Sequence, residues 1–243
     1  MSQIDLKHAT IYIEDGYDGP AGAAGALVNN MAGYSAAAVT MAVDGITGLV
    51  VVGDRFTVAG DDVVHTITAQ TPTLGNTTSI TFTPGLGDAV VDNAAITWLP
   101  HQLEVNIGEG NCSYDESRNM QYKLNRGNID TVREGDQVPM DVKIDANWEF
   151  LRASSGDPPT IEEVLKKVGA ASAWVSSSAD PCEPYAVNII IDYVPPCGDI
   201  EAERITLPDY RWEKLSHDPK AGTISTTGKC NAIVATVVRY TPA

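Results

Sequence analysis

The sequence predicts a mainly β protein: a sandwich or barrel body with one packed α-helix, interrupted by a small all-β insert. Three observations predict it. Val138, Met140, Val142, Ile144, Ala146 and Trp148 occupy every second position, opposite Asp141, Lys143, Asp145 and Asn147. That two-residue period belongs to a half-buried strand. Between about Thr40 and Trp98, short β-branched runs alternate with Gly, Asp and Asn turn pairs, the spacing of a small barrel or sandwich. Only one segment carries the start and stop signals of a helix. Thr160 and Glu163 form a capping box after Pro158-Pro159, and Ile161, Val164, Leu165 and Val168 make one apolar stripe. Lys166 and Lys167 suit its last turn, and Gly169 is placed to cap the end.

In chain order, Ala9-Thr10-Ile11-Tyr12-Ile13-Glu14 reads as a strand that the turn residues Asp15 to Pro20 terminate. Ala21 to Ala38 has no clean period and reads as a linker or loose loop. Strands are then expected at Val39–Val43, Leu49–Val52, Arg55–Ala59, Val63–Ala69, Ser79–Thr83 and Ala95–Trp98. This stretch holds six Asp but neither Glu nor Lys, unlike its flanks. The shift in composition predicts an inserted domain over 35–98 and a discontinuous body of 1–34 with 99–243. Gln102 to Ile107 alternates cleanly and is expected to pair with Ala9–Glu14, completing a hairpin that the insert interrupts. Further strands are expected at Met120–Leu124, Gln137–Leu151, Ala186–Val194, Arg204–Leu207, Thr223–Thr227 and Ala232–Tyr240.

With 16 basic and 32 acidic residues the net charge is −16, and Arg55 is the one Lys or Arg between Lys7 and Arg118. Affinity for nucleic acid rests on cations that neutralise phosphates, so the chain is not expected to grip DNA. Such a surface also discourages uncontrolled association. The first residues lack the basic and apolar regions of a secretory signal, and no run approaches ~18 apolar residues. The sequence therefore reads as soluble, made in the cytoplasm and not inserted in a membrane. Cys112, Cys182, Cys197 and Cys230 form no C-x-x-C pair and read as reduced, buried thiols, with a bridge between two of them outside the cell left open.

The chemistry of an enzyme is not visible. No P-loop, G-x-S-x-G or H-E-x-x-H is present, and Gly108-Glu109-Gly110 reads as a hairpin turn rather than a nucleotide loop. His8, His65, His101 and His217 are scattered, which points to ordinary surface or core positions rather than metal ligation. Asp61-Asp62 reads as a solvated turn, and Asp15 with Asp18 lacks the spacing of a calcium loop. The expectation is a non-enzyme with no catalytic, metal or cofactor residues. A sugar-binding β domain is the rival from another class, with Tyr17, Tyr34 and Trp98 as the aromatics available for stacking.

A series of segments resembles the tail tube (major tail) proteins of long-tailed bacteriophages. They are Ile107-Gly108-Glu109-Gly110-Asn111 with Ser113-Tyr114, then Tyr122 to Asp130, Val132 to Val142, Trp148-Glu149 and Trp174. Asp180 to Val187, Leu207-Pro208-Asp209-Tyr210-Arg211 and Gly228-Lys229-Cys230-Asn231 complete it. The resemblance covers roughly residues 5–15 and 101–243, and the insert is similar to a small β module of phage head and tail proteins. It implies a tail-tube-type body whose hexameric rings stack into a conduit for DNA, in the virion. A tape measure protein and genomic DNA would occupy the lumen transiently, and other tail proteins the ends. Strand alternation fits that plan with an acidic bore, for which Glu104, Asn106, Asp141, Lys143, Asp145 and Asn147 are candidate lining. The insert, which departs from the plain tube pattern, reads as decoration of the outer wall, with contact to neighbouring rings or a host surface as alternatives. A related single-ring tail or neck connector protein is the nearest alternative.

Overall fold

Alternating apolar residues become strands along most of the chain. The computed structural model describes residues 8–20, 25–72, 75–108, 110–148, 159–195 and 201–241. Its strands, in chain order, are β1 (Ala9–Glu14), β2 (Leu27–Val28), β3 (Thr40–Asp44), β4 (Arg55–Val58), β5 (Asp61–Thr71), β6 (Ser79–Thr83), β7 (Ile96–Leu99) and β8 (Gln102–Glu104). They continue with β9 (Asn111–Asp115), β10 (Met120–Asn125), β11 (Asn128–Glu134), β12 (Met140–Asn147), β13 (Val187–Tyr193), β14 (Ala202–Asp218), β15 (Thr223–Cys230) and β16 (Thr236–Tyr240). Among the described residues there is one α-helix, α1 (Ile161–Lys166). The fold is mainly β. No helix among the described residues is long and apolar enough to cross a membrane.

The chain divides into two compact units, Met1–Gly16 with Gln102–Ala243, and Tyr17–His101. Both boundaries differ from the expected 34/35 and 98/99. The stretch read as a linker contributes β2, whose residues pair with β3 (Leu27↔Asp44, Val28↔Val43). Ala26 and Val28 are buried in the core of the second unit. Small residues hid this packing because the backbone makes it: Val28 N–H donates to Ala94 O at 2.9 Å, and Tyr34 N–H to Val90 O at 2.8 Å. Residues 21–24 of that stretch lie outside the described residues.

The first unit is a body built on one antiparallel sheet in the order β8-β1-β13-β14-β15-β12-β9. As expected, β8 pairs with β1 (Tyr12↔Glu104, Ile13↔Leu103, Glu14↔Gln102), so residues 17–101 are inserted in a hairpin. β15 and β16 both pair along β14, which is 17 residues long and includes Asp209 in the left-handed region with φ 51°. The sheet curls almost shut. Asn147 N–H at the end of β12 donates to Asn106 O just past β8 at 2.8 Å, and their side chains meet at 3.1 Å. Gly108 and Gly110 belong to this closure rather than to a hairpin, because β8 pairs with β1 and β9 with β12. A Cβ at Gly110 would lie 1.9 Å from Asp145 O, so only glycine admits the chain there. Glu109 lies outside the described residues.

Inside this sheet, Ile11, Ile13, Met140, Val142, Ile144, Ile189, Leu207 and Tyr210 pack against Ile161, Val164 and Leu165 of α1. The capping box forms as read: Thr160 Oγ1 accepts from Glu163 N–H at 3.3 Å, and Glu163 Oε2 accepts from Thr160 N–H at 3.0 Å. The helix stops earlier than its apolar stripe implies. Lys167 takes the left-handed conformation (φ 53°) and ends it, while Gly169 opens a separate turn of 3-10 helix. Trp212 Nε1–H donates to Leu165 O at 2.8 Å, which fastens the C-terminal end of α1 to β14.

The second unit is a six-stranded antiparallel sheet, ordered β2-β3-β6-β5-β4-β7, around Phe56, Ile67, Ile80, Phe82 and Trp98. Leu49–Val52, expected as a strand, is a loop. Its one core residue, Val50, is fixed through its N–H, which donates to Thr77 Oγ1 at 3.1 Å.

A candidate assembly surface

Sequence reading expected β10 but missed β11. The missing signal was in the turn: Arg126 and Gly127 have φ 49° and 87°, the two left-handed positions of a type I′ hairpin between Asn125 and Asn128. Gly135 N–H donates to Asn119 O at 2.7 Å and closes the base. The register places Tyr122 opposite Val132 and Leu124 opposite Ile129, with a bulge between Lys123 and Leu124. Side chains alternate across a strand, so Met120, Tyr122, Leu124, Ile129 and Val132 share one face. Gln121, Lys123, Thr131 and Arg133 share the other.

Neither face is covered. Every residue of both strands is exposed, and Tyr122, Leu124, Ile129 and Val132 are each at least 52% accessible. An isolated two-stranded hairpin is marginal in water, and burying a large apolar side chain is worth about 1.5–3 kcal/mol. Five such side chains on one open face are therefore an unspent source of binding energy. β16 adds to it. Val237 and Val238 are 51% and 53% exposed, on a strand that among the described residues pairs with β14 alone.

The polar face of the main sheet has a different character. Asp141, Lys143 and Asp145 alternate with the buried residues of β12, as read. Lys229 pairs with Asp141, and Lys143 with Asp145 at 2.7 Å, while Ser225 also donates to Asp145. The hydrogen bonds from Lys143 and then Ser225 hold the Asp145 carboxyl below its ordinary range. Across β9, β12 and β15, three carboxylates (Asp115, Asp141, Asp145) face two ammonium groups (Lys143, Lys229), so the face is nearly compensated, with a small acidic surplus.

The other candidate residues are spent on structure. His65 is fully buried, with Nδ1 2.9 Å from Pro84 O and Nε2 3.2 Å from Asp61 Oδ2. Asp61 is not the solvated turn residue expected. It is buried and accepts from the N–H groups of Val63 and Gly87, which ties the start of β5 to the loop after β6. His101 meets Asp54 at 3.2 Å and stacks on Tyr17, and His217 meets Glu162, also at 3.2 Å. His8 is exposed. His65, His101 and His217 thus contribute to separate local contacts. Among the described residues, no group of three or more His, Cys, Asp or Glu is placed to hold a metal. Asp15 is buried and accepts from Val175 N–H.

The aromatics considered for sugar stacking are engaged as well. Tyr17 Oη–H donates to Asp54 at 2.9 Å, Tyr34 Oη accepts from Ala42 N–H at 2.7 Å, and Trp98 is buried in the core of the insert. Burial pushes the thiols of Cys112 and Cys230 up to about 12. Cys182 is exposed, contrary to the expectation of burial, and Cys197 lies outside the described residues.

No family model, no curated protein and no solved structure matches this chain.

Proposed function

We propose that this chain is a structural subunit that closes into hexameric rings and stacks as a phage-type tail tube, a passage for DNA in the virion. The observation that carries the reading is the β10–β11 hairpin, with its apolar face open to water. A chain made to remain a monomer covers, charges or shortens such features. A chain made to repeat itself leaves them for the next copy. Contacts between unlike surfaces propagate: they close into rings when the rotation closes and extend into filaments when it does not.

Two further features agree with the reading. The body sheet is almost closed yet keeps β9 and β16 at its margins, so neighbouring copies have backbone edges to pair with. The polar face over β9, β12 and β15 holds its lysines in ion pairs, with carboxylates in slight excess. A bore lined this way offers a passing duplex no row of free cations to bind. In this reading the lumen's occupants are a tape measure protein and then genomic DNA, and other tail proteins cap the ends.

The test is sedimentation of the purified chain over a concentration series. Growth from a single subunit to large, open-ended species supports the reading. A single small species at every concentration contradicts it.

A further inference from the structure

We infer that the β10–β11 hairpin recognises an acidic surface on a second copy of this chain, so that stacking is electrostatically steered and sensitive to salt. The inference rests on the tube reading and names the partner chemistry of the hairpin. Within the hairpin, whose base closes at Asn119 and Gly135, Lys123, Arg126 and Arg133 stand against two carboxylates, Asp130 and Glu134. The other residues of the chain carry thirteen cations and thirty carboxylates, so a net +1 arm belongs to a remainder of −17.

Among the described residues, none of these three cations has an ion-pair partner. Elsewhere among the described residues, Lys143, Lys166, Arg204, Arg211, Lys229 and Arg239 are each paired with a carboxylate, whereas Lys167, Lys214 and Lys220 are not. On a chain with twice as many carboxylates as cations, three unpaired cations gathered on one exposed arm are a local surplus. Lys123 and Arg133 lie on the face opposite Tyr122 and Val132, and Arg126 stands in the turn at the tip. The arm therefore presents an apolar strip backed and tipped by positive charge.

That combination selects the partner. A polyanion such as DNA would engage the cations and leave Met120, Tyr122, Leu124, Ile129 and Val132 in water. A second copy supplies both halves of the contact, apolar area for the strip and surplus carboxylate for the cations. Long-range attraction between the +1 arm and the −17 remainder also orients approaching copies head to tail, since acidic body repels acidic body.

The test measures self-association of the full chain by sedimentation velocity at about 50 mM and about 500 mM sodium chloride, a range over which exposed charges become screened. It compares the unmodified chain with K123E/R126E/R133E, and circular dichroism checks that the body is folded in each. The unmodified chain is expected to associate at low salt and to weaken at least about tenfold at high salt, and the charge-reversed chain to lose association at low salt. A second variant, Tyr122→Ser with Leu124→Ser, should weaken association at both salts, because apolar contacts are not screened. Association that ignores salt and survives charge reversal overturns the inference and leaves the tube reading standing. An unmodified chain that stays a single small species at about 50 mM salt overturns both. Binding of a duplex DNA oligonucleotide to the unmodified chain, but not to K123E/R126E/R133E, assigns the arm to a polyanion and also overturns the inference.

Discussion

At the scale of residues, the polar groups of the interior are nearly all accounted for, and one exception makes a sharp test. The Tyr185 hydroxyl is buried with no hydrogen-bond partner among the described residues, while Lys167 Nζ sits 5.5 Å from the ring centroid. An unsatisfied buried hydroxyl costs free energy that its removal returns. Tyr185→Phe is therefore expected to leave stability unchanged or raise it by up to about 1 kcal/mol in denaturant titration; a loss of that size would show that the hydroxyl has a partner. The cysteines make a second test. With thiols raised to about 12 by burial, Cys112 and Cys230 hold almost no thiolate near neutral pH. Alkylation of the folded protein at about pH 8, mapped by mass spectrometry, should modify Cys182 well before either of them. Equal labelling of all three would contradict the burial. None of this detail was legible in the sequence. Asp61 reads as a turn residue because its neighbours are Gly60 and Asp62, and only the fold brings His65 and the Gly87 amide to it.

At the scale of elements, legibility followed the strength of the local pattern. β12 could be read because one face is core and the other is water, so its period is clean. The α1 start was legible because capping is local chemistry, and replacing Thr160 by Ala should cost about 1 kcal/mol, read as a shift in the denaturation midpoint of the body. No shift would mean that the hydrogen bond between Glu163 N–H and Thr160 is unimportant. β11 was not legible because both of its faces are exposed, so burial imposed no period on Asn128 to Glu134. Leu49–Val52 misled in the opposite way: four apolar residues suggested a strand, but only Val50 reaches the core, and Val51 and Val52 are more than half exposed. The assembly surface was therefore the least legible part of the body. Its pattern would be set by a neighbouring copy, and a single chain does not display that constraint.

At the scale of the whole molecule, the insert was recognisable from its composition, but its limits were not. Aspartate enrichment marks where acidic surface begins, whereas the unit begins where the chain enters the second core, at Tyr17. Because Glu14 already pairs with Gln102, a short glycine-serine linker in place of residues 17–101 should leave an ordinary hairpin and a body that melts cooperatively. Residues 17–101 expressed alone should also fold, since Asp54 binds both Tyr17 and His101 near the two ends of the segment. A shortened body without a cooperative transition would show that the two units depend on each other. The central claim, a subunit of a stacked tube, is tested most directly by electron microscopy of the concentrated protein at low salt. The account predicts hollow sixfold rings and stacks of them, with a bore wide enough for a DNA duplex. Discrete solid particles at every concentration would contradict it.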